Sequence, residues 1–223
     1  MSTRPSSSRD ASSYTRQPGA TCLGNFLDTC YTGYMTSASK FEFIAGSPAL
    51  CFVDSHGSRG GGGKERIETP QDLFDWLGSA GLAGECPQPV TQAELGQARN
   101  LREAIYRCSL CVIRGQDFAA GDVAMINRAA LCPPLRPQLK HNALVHVAGR
   151  PVEAALSVLA ADALGLFASP LRGRIRQCPQ CAMIFVDRSR PGRRRWCSSA
   201  QGCGNRDKVR NSRKRRAGEE GRA

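Results

Sequence analysis

The chain has 223 residues, of which 41% are apolar, and a formal net charge of +12 at pH 7. This length accommodates one medium-sized domain and a small appendage, and the apolar content is typical of a globular protein. No apolar run approaches the roughly 20 residues that span a bilayer, so a membrane protein is not expected. Residues 1–19 lack the apolar stretch of a secretory signal, and we therefore expect a cytoplasmic protein with reduced thiols.

The excess positive charge lies in the last quarter of the chain. Residues 172–223 contain 16 lysines and arginines against 4 acids, whereas residues 1–171 contain 15 of each. A charge concentrated in this way predicts a polyanionic partner. The alternative is a solvated, disordered tail, but the cysteines among the basic residues favour a folded segment.

The N-terminal part changes character near residue 40. Residues 1–38 are rich in serine, threonine, glycine and proline, and are predicted to be mostly disordered. Phe41–Ile44 and Leu50–Val53 are short β-prone runs, which Ala45–Pro48 would join into a hairpin. Ser58–Lys64 is predicted to be a flexible loop, because it lacks the spacing and the Lys-Ser/Thr ending of a phosphate-binding loop.

Two capping boxes predict the next elements to be helices. Thr69 precedes a proline at the first helical position and Asp72 at the third, and Thr91 precedes a glutamate in the same way. The second helix is expected to run to about Arg114 and to end at the glycine that follows.

Shorter elements complete this segment. Residues 122–131 predict a helix ended by two prolines, and residues 139–148 are ambiguous, with Leu144–Val147 as a candidate strand. Pro151–Phe167 predicts an alanine-rich helix. Residues 39–170 are therefore expected to form a mainly helical domain with a small N-terminal β hairpin.

Several cysteines of this domain are predicted to pack in its core. Cys108 and Cys111 are spaced like half of a metal site, but residues three apart on a helix are neighbours, and these two adjoin an apolar stripe. The isolated Cys51, Cys86 and Cys132 receive the same interpretation.

Four cysteines near the C-terminus have the spacing of a zinc site. Cys178 and Cys181 form a Cys-x-x-Cys pair, and Cys197 and Cys203 follow after fifteen residues. Structural zinc takes four tetrahedral thiolate ligands. We expect one structural Zn²⁺ ion, because a module of this size has too little core to fold without metal. The alternative is four unrelated buried thiols.

The residues around these cysteines predict the order knuckle, hairpin, helix of a treble-clef zinc finger. Strands are predicted at Ala182–Val186 and Arg193–Trp196, joined by a turn at Arg188–Gly192, and a helix at residues 203–216. The C-terminal fold is thus expected to be a treble-clef-like zinc finger with a β hairpin and a basic helix.

The predicted helix has a basic face that suits phosphate contacts in the major groove of DNA. Asn205 either reads a base edge or caps the helix beside the metal ligand, and both interpretations stay open. Arginines of the predicted hairpin add a second basic patch. The candidate nucleic-acid-binding residues are Arg193, Arg194, Arg195, Asn205, Arg206, Lys208, Arg210, Arg213 and Lys214.

Other functions have weaker support. His56, His141 and His146 are scattered and form no nucleophile or acid–base arrangement, so an enzyme is not expected. RNA binding is an alternative, but single-strand recognition uses stacking aromatics, and Phe185 and Trp196 are expected to be buried. A zinc-thiolate redox sensor is a further alternative.

The C-terminal module resembles the CGNR zinc-finger family. The residues that carry the resemblance are Cys178-Pro-Gln-Cys181, Phe185-Val-Asp187, Arg195-Trp-Cys-Ser198 and Cys203-Gly-Asn-Arg206. Five residues separate the last two cysteines here, where the family typically has four.

The preceding segment resembles the ABATE domain, through Leu50–Ser55, Thr69–Leu77, Leu101–Tyr106 and Ile126–Asn127. The resemblance implies a stress-response transcription regulator that binds double-stranded DNA. It also implies a helical domain for ligand sensing or dimerisation, and hence a homodimer and a small-molecule effector as partners. Cys51, Asp54 and Ser55 depart from the family's Leu-Asp-Phe-x-Asn-Thr motif, so no effector site is assigned.

The predicted organisation has four parts. They are a disordered segment over residues 1–38, an ABATE-like helical domain over 39–170, a CGNR-type zinc finger with its basic helix over 171–217, and a disordered tail over 218–223.

Overall fold

The computed structural model describes residues 40–83, 89–198 and 202–220. The predictions for residues 1–38, for Cys86 and for the last three residues of the tail lie outside this part of the chain.

Six α-helices and three two-stranded antiparallel sheets make up the described residues, so the fold is mainly helical as predicted. The helices are α1 (Pro48–Asp54), α2 (Pro70–Ser79), α3 (Gln92–Arg114), α4 (Ala120–Ala130), α5 (Pro151–Ala168) and α6 (Cys203–Glu220). The strand pairs are β1 (His56–Gly57) with β2 (Lys64–Glu65), β3 (Arg136–Lys140) with β4 (Ala143–Val147), and β5 (Ile175–Gln177) with β6 (Ile184–Val186). A 3₁₀ helix, Pro170–Arg174, connects α5 to β5.

The hairpin predicted around residues 41–53 is wrong, because its second run forms helix α1. Ser47 is the N-cap and Pro48 the first helical residue. The Asp162 carboxylate of α5 accepts hydrogen bonds from the Ser47 hydroxyl and, at 2.9 Å, from the Ala49 amide. All seven residues of α1 are buried. A short helix buried on every side has no polar face, and its sequence therefore reads like a buried strand.

Both predicted capping boxes are confirmed. The Thr69 hydroxyl accepts from the Asp72 amide at 3.2 Å, and the Thr91 hydroxyl accepts from the Glu94 amide at 3.2 Å. Helix α3 ends at Arg114 as predicted, and the following glycine is left-handed, with a φ of 66°.

The remaining predictions for the helical domain differ only in detail. Helix α4 begins two residues before the predicted start, and the ambiguous segment forms a hairpin in which Leu139 pairs with Leu144. His141 and Asn142 turn this hairpin with positive φ values of 48° and 61°. Cys51 and Cys108 are buried in the core, as predicted, but Cys111 and Cys132 are only half-buried and lie outside it.

Helix α5 lies at the centre of the core and packs against α1, α3 and α4. By length and composition alone it could cross a membrane, but 56% of it is buried inside the protein. The apolar side chains of β5 and β6, including Ile175, Ile184 and Val186, belong to the same core cluster as those of α1 and α5. The finger and the helical domain are thus packed around one continuous core.

The hairpin of the finger is not the predicted one. Strand β6 pairs with β5, which precedes the first cysteine pair, and Arg193–Trp196 forms no strand. The reason is the buried Asp187 carboxylate, which accepts hydrogen bonds from the amides of Ser189 and Arg194. These bonds fold the segment after β6 into a loop.

Candidate metal centre and basic helix

The first cysteine pair lies at the tip of the β5–β6 hairpin. The Cys178 amide donates to the Met183 carbonyl at 2.8 Å, and the Ala182 amide donates to the Cys178 carbonyl at 2.9 Å. Ala182 takes a left-handed conformation with a φ of 60°. This tight turn directs both Cys178 and Cys181 into the same buried space.

The Asp187 loop carries the third cysteine to the same place. One carboxylate oxygen of Asp187 accepts from the Ser189 amide (2.9 Å) and hydroxyl (2.6 Å), and the other accepts from the Arg194 amide at 2.8 Å. Burial raises the pKa of Asp187, but the hydrogen bonds from Ser189 and Arg194 outweigh this effect and lower it. The loop therefore depends on an ionised Asp187, and it ends at Trp196 and Cys197.

The fourth cysteine begins helix α6, and Trp196 fixes this helix against the loop. A Cβ atom on Gly204 would lie 3.3 Å from two ring atoms of Trp196. The absence of a side chain at Gly204 thus lets the indole pack on the first turn of α6. This contact explains two pieces of the motif at once, the tryptophan before Cys197 and the glycine after Cys203.

The four sulfur atoms form one cluster. They all lie within 4.8 Å of one another, all four residues are buried, and the Cys181 and Cys197 sulfurs are 3.5 Å apart. Tetrahedral zinc with Zn–S bonds of about 2.3 Å places its sulfurs about 3.8 Å apart. The donor set and its size therefore fit one four-thiolate zinc ion.

The electrostatics of the cluster allow four thiolates only in the presence of a cation. The neighbouring Cys197 thiol and burial raise the pKa of Cys181, and burial raises the pKa of Cys203. Four buried thiols this close together cannot all ionise unless a positive ion balances them, and a bound metal deprotonates its thiol ligands outright.

The extra residue between the last two cysteines does not remove either from the cluster, since both Cys197 and Cys203 lie in it. Gly202, with a φ of 62°, leads the chain into α6. Residues 199–201 are outside the described part.

Two of the predicted nucleic-acid-binding arginines lie beside the metal site. The Arg206 guanidinium donates to the Cys203 sulfur at 3.6 Å. The Arg194 guanidinium lies 4.4 Å from the centre of the Phe185 ring and donates to the Trp196 carbonyl at 2.9 Å. Arg194 is half-buried, and this burial lowers its pKa.

All of the predicted contact residues except Arg194 are exposed on the finger. Arg210 pairs with Asp207, which also accepts from the Asn211 amide group at 3.1 Å. From Lys208 to Arg215 every side chain is exposed except the half-buried Ser212. The exposed predicted residues are Arg193, Arg195, Asn205, Arg206, Lys208, Arg210, Arg213 and Lys214.

The finger is attached to the helical domain through hydrogen bonds to two backbone carbonyls. The Val186 amide donates to the Ala45 carbonyl, and the Arg188 guanidinium donates to the Gly46 carbonyl, both at 2.8 Å. The glycine-rich loop also approaches the metal knuckle, because a Cβ on Gly60 would lie 3.4 Å from that of Ala182.

Sequence reasoning missed a buried charge cluster beneath this loop. Arg102, only 2% exposed, donates to the Ser55 hydroxyl at 3.0 Å, to Glu65 at 2.8 Å and to Glu103 at 3.1 Å. Arg59 binds Glu103 through two hydrogen bonds of 2.7 and 2.8 Å. In the sequence, the only indication of this cluster is an arginine beside the apolar stripe of α3. Arginines and lysines at the surface of a helix often occupy such positions, so the burial of Arg102 could not be predicted.

These features define a zinc-finger protein in which a four-cysteine site anchors a basic helix to a helical domain. Residues 46–170 match the ABATE family, described as "Putative stress-induced transcription regulator", and residues 174–216 match the CGNR zinc finger. The chain belongs to the ABATE family and carries a CGNR finger, as the sequence motifs predicted. A comparison with curated proteins gives no match.

The match to the CGNR zinc-finger family indicates which metal the cysteine cluster binds. The CGNR match and the cluster support one structural zinc ion, as predicted, and the residues that could hold it are Cys178, Cys181, Cys197 and Cys203. Neither matched family is described as an enzyme family.

Proposed function

We propose that this protein is a cytoplasmic transcription regulator that binds double-stranded DNA through its zinc-anchored basic helix, and that it is not an enzyme. The observation that carries the proposal is the exposed cationic surface on α6 and on the loop before Cys197. Localised positive charge of this kind favours a polyanion, since each neutralised phosphate releases a condensed counterion.

The geometry of α6 supports a duplex as the partner. Its 18 residues extend about 27 Å at about 1.5 Å per residue, and a helix fits the B-DNA major groove, which is about 12 Å wide. Zinc would fix the first turn through Cys203, and the side chains from Lys208 to Arg215 are exposed except the half-buried Ser212. The helix can therefore enter a groove without rearrangement of the helical domain.

The contact surface divides into two parts. We propose that Arg206, Arg210, Arg213 and Lys214 contact phosphates along one face of α6, with Lys208 and Asn205 at its edges. Arg193 and Arg195 form a second patch on the loop. Arg194 supports this loop from inside, because its guanidinium is stacked on the Phe185 ring.

A single finger buries little surface, about 600–1,000 Å² for one module, so we propose that two copies bind together. The helical domain is the proposed site of dimerisation, and an effector acting on it would regulate DNA binding. The Arg102 cluster is a route for such regulation, since the glycine-rich loop above it approaches the metal knuckle.

RNA binding and redox sensing have less support. Phe185 is fully buried, and the half-buried Trp196 packs against Gly204 on one side, so the finger has few aromatic faces for stacking bases. The four cysteines are buried, whereas redox-sensing thiols are solvent-accessible.

The test is duplex affinity across a salt series, with zinc content measured on the same sample. A triple variant removes three cations of α6, with the changes Arg206→Ala, Arg210→Ala and Arg213→Ala. A matched control removes three exposed cations of the helical domain, with the changes Arg114→Ala, Arg128→Ala and Arg136→Ala.

We expect about one zinc per chain. The log–log slope of affinity against salt should decrease in magnitude by about 0.9 for each phosphate that the triple variant no longer neutralises. The control should keep the wild-type slope. Equal slopes for the two triple variants, or tighter binding to structured RNA than to duplex at matched salt, would remove the DNA proposal.

A further inference from the structure

An apolar side chain stands at the edge of the basic face of α6. Val209 is 51% exposed, and it is the only large exposed apolar residue in the described part of the finger. At about 100° per residue, Val209 lies between Arg213, about 40° to one side, and Asn205, about 40° to the other, so it marks one edge of the cationic face. Asn205, Arg206, Val209 and Arg213 border one shallow groove on the helix surface.

Nothing within the described chain explains this valine. It is not part of the buried core, and valine is a weaker helix former than the lysines and arginines around it. A further cation here would serve phosphate binding and solubility better. The side chain therefore suits an apolar feature on whatever the basic surface binds.

We propose that Val209 is a base-reading residue that contacts the C5-methyl group of thymine in the DNA major groove. This inference rests on the proposed function and names the base that the helix recognises. The thymine methyl is the one apolar group that base edges present in that groove. Arg206 and Arg213, on the neighbouring cationic face, would hold the helix against the phosphates, which directs the edge formed by Val209 and Asn205 towards the bases.

The free energy of burying one methyl group sets the expected change in affinity. One methyl group buried against Val209 corresponds to about a fourfold change in affinity, from roughly 0.8 kcal/mol per buried carbon group. Phosphate contacts are unaffected, so the salt dependence of binding should stay the same.

The experiment begins with selection of duplexes from a random pool by the wild-type protein. Each thymine of the selected site is then replaced in turn by uracil, which lacks only the methyl group. Wild type should lose about fourfold in affinity at one or two positions. Val209→Ala should lose this discrimination and keep its salt slope, whereas Ser212→Ala, a neighbour one turn away, should keep both.

Each other outcome overturns the inference. Salt-dependent duplex binding without any thymine-to-uracil effect in wild type, or with the same effect in Val209→Ala, excludes a methyl contact at Val209 and leaves the proposed function intact. Loss of dimerisation in Val209→Ala would instead assign the valine to contact with a second copy. Absence of salt-dependent duplex binding in wild type would remove the proposed function together with the inference.

Discussion

The backbone amide of Val186 donates a 2.8 Å hydrogen bond to the carbonyl of Ala45, which joins the second strand of the zinc finger to the segment that precedes α1. The next residue, Gly46, has a φ of 78°, and a Cβ there would lie 3.2 Å from the Val186 carbonyl oxygen. Together with the shared apolar core, this contact makes the finger a part of the helical domain's structure. The stabilities of the two are therefore coupled.

Removal of zinc should destabilise the helical domain as well as the finger. The chain has two tryptophans, Trp76 in the core of the helical domain and Trp196 in the finger. In a Trp196→Phe variant, chelation of zinc should lower the unfolding midpoint reported by Trp76 fluorescence, because metal binding supplies roughly 10 kcal/mol or more to folds of this kind. An unchanged Trp76 transition, with zinc removal verified, would mean that the finger folds independently.

Loss of the Asp187 carboxylate should weaken zinc binding without removing a ligand. In Asp187→Asn, one acceptor oxygen that faces Ser189 or Arg194 becomes an NH₂ group, and a buried amide loses its partner. We expect about 1–3 kcal/mol of lost stability and a 10- to 100-fold loss of zinc affinity. Competition with a chromophoric chelator measures the affinity. Asp117→Asn, at an exposed site, is the control and should match wild type.

The buried Arg102 should be among the most sensitive positions of the helical domain. Arg102→Met removes the main ion-pair partner of Glu65, whereas Glu103 keeps Arg59. Because both carboxylates are partly exposed, we expect a loss of about 1–3 kcal/mol. Urea unfolding with zinc present measures the loss. Arg128→Met, at an exposed site, should change stability by less than about 0.5 kcal/mol. A similar small change at Arg102 would mean that the cluster is hydrated and contributes little.

Stability should depend on pH through Asp54. Burial raises the pKa of this carboxyl from about 3.8 to about 7, although the nearby Arg66 guanidinium opposes the shift. The folded state thus holds the proton more tightly than the unfolded state, so the contribution of Asp54 to stability falls as pH rises from about 4 to about 7 and then levels off.

Asp54→Asn removes this dependence. The free energy of unfolding of Asp54→Asn, relative to that of wild type, should increase between pH 5 and pH 8 by an amount on the order of 2–3 kcal/mol. Urea unfolding at each pH measures this difference. The exposed Asp75→Asn is the control and should follow wild type across this range. Parallel curves for Asp54→Asn and wild type would show that the Asp54 carboxyl stays ionised in the folded protein.

The sequence by itself determined the features that depend on neighbours a few residues away. The capping boxes at Thr69 and Thr91 are closed by hydrogen bonds within four positions, and the stop of α3 needs only its glycine. The zinc ligands could be predicted because thiolate chemistry and Cys-x-x-Cys spacing leave few other arrangements. The basic helix followed from the order of residues after Cys203.

Only the tertiary structure decided the features that depend on distant partners. Helix α1 is capped by Asp162, more than a hundred residues away, and its burial on all sides hides the helical periodicity. The pairing of β6 with β5 instead of Arg193–Trp196 rests on the buried Asp187, and the burial of Arg102 depends on Glu65, which is 37 residues earlier. Contacts like these gain their energy from burial and from charge pairing across the core, and a local pattern of residue types carries no record of either.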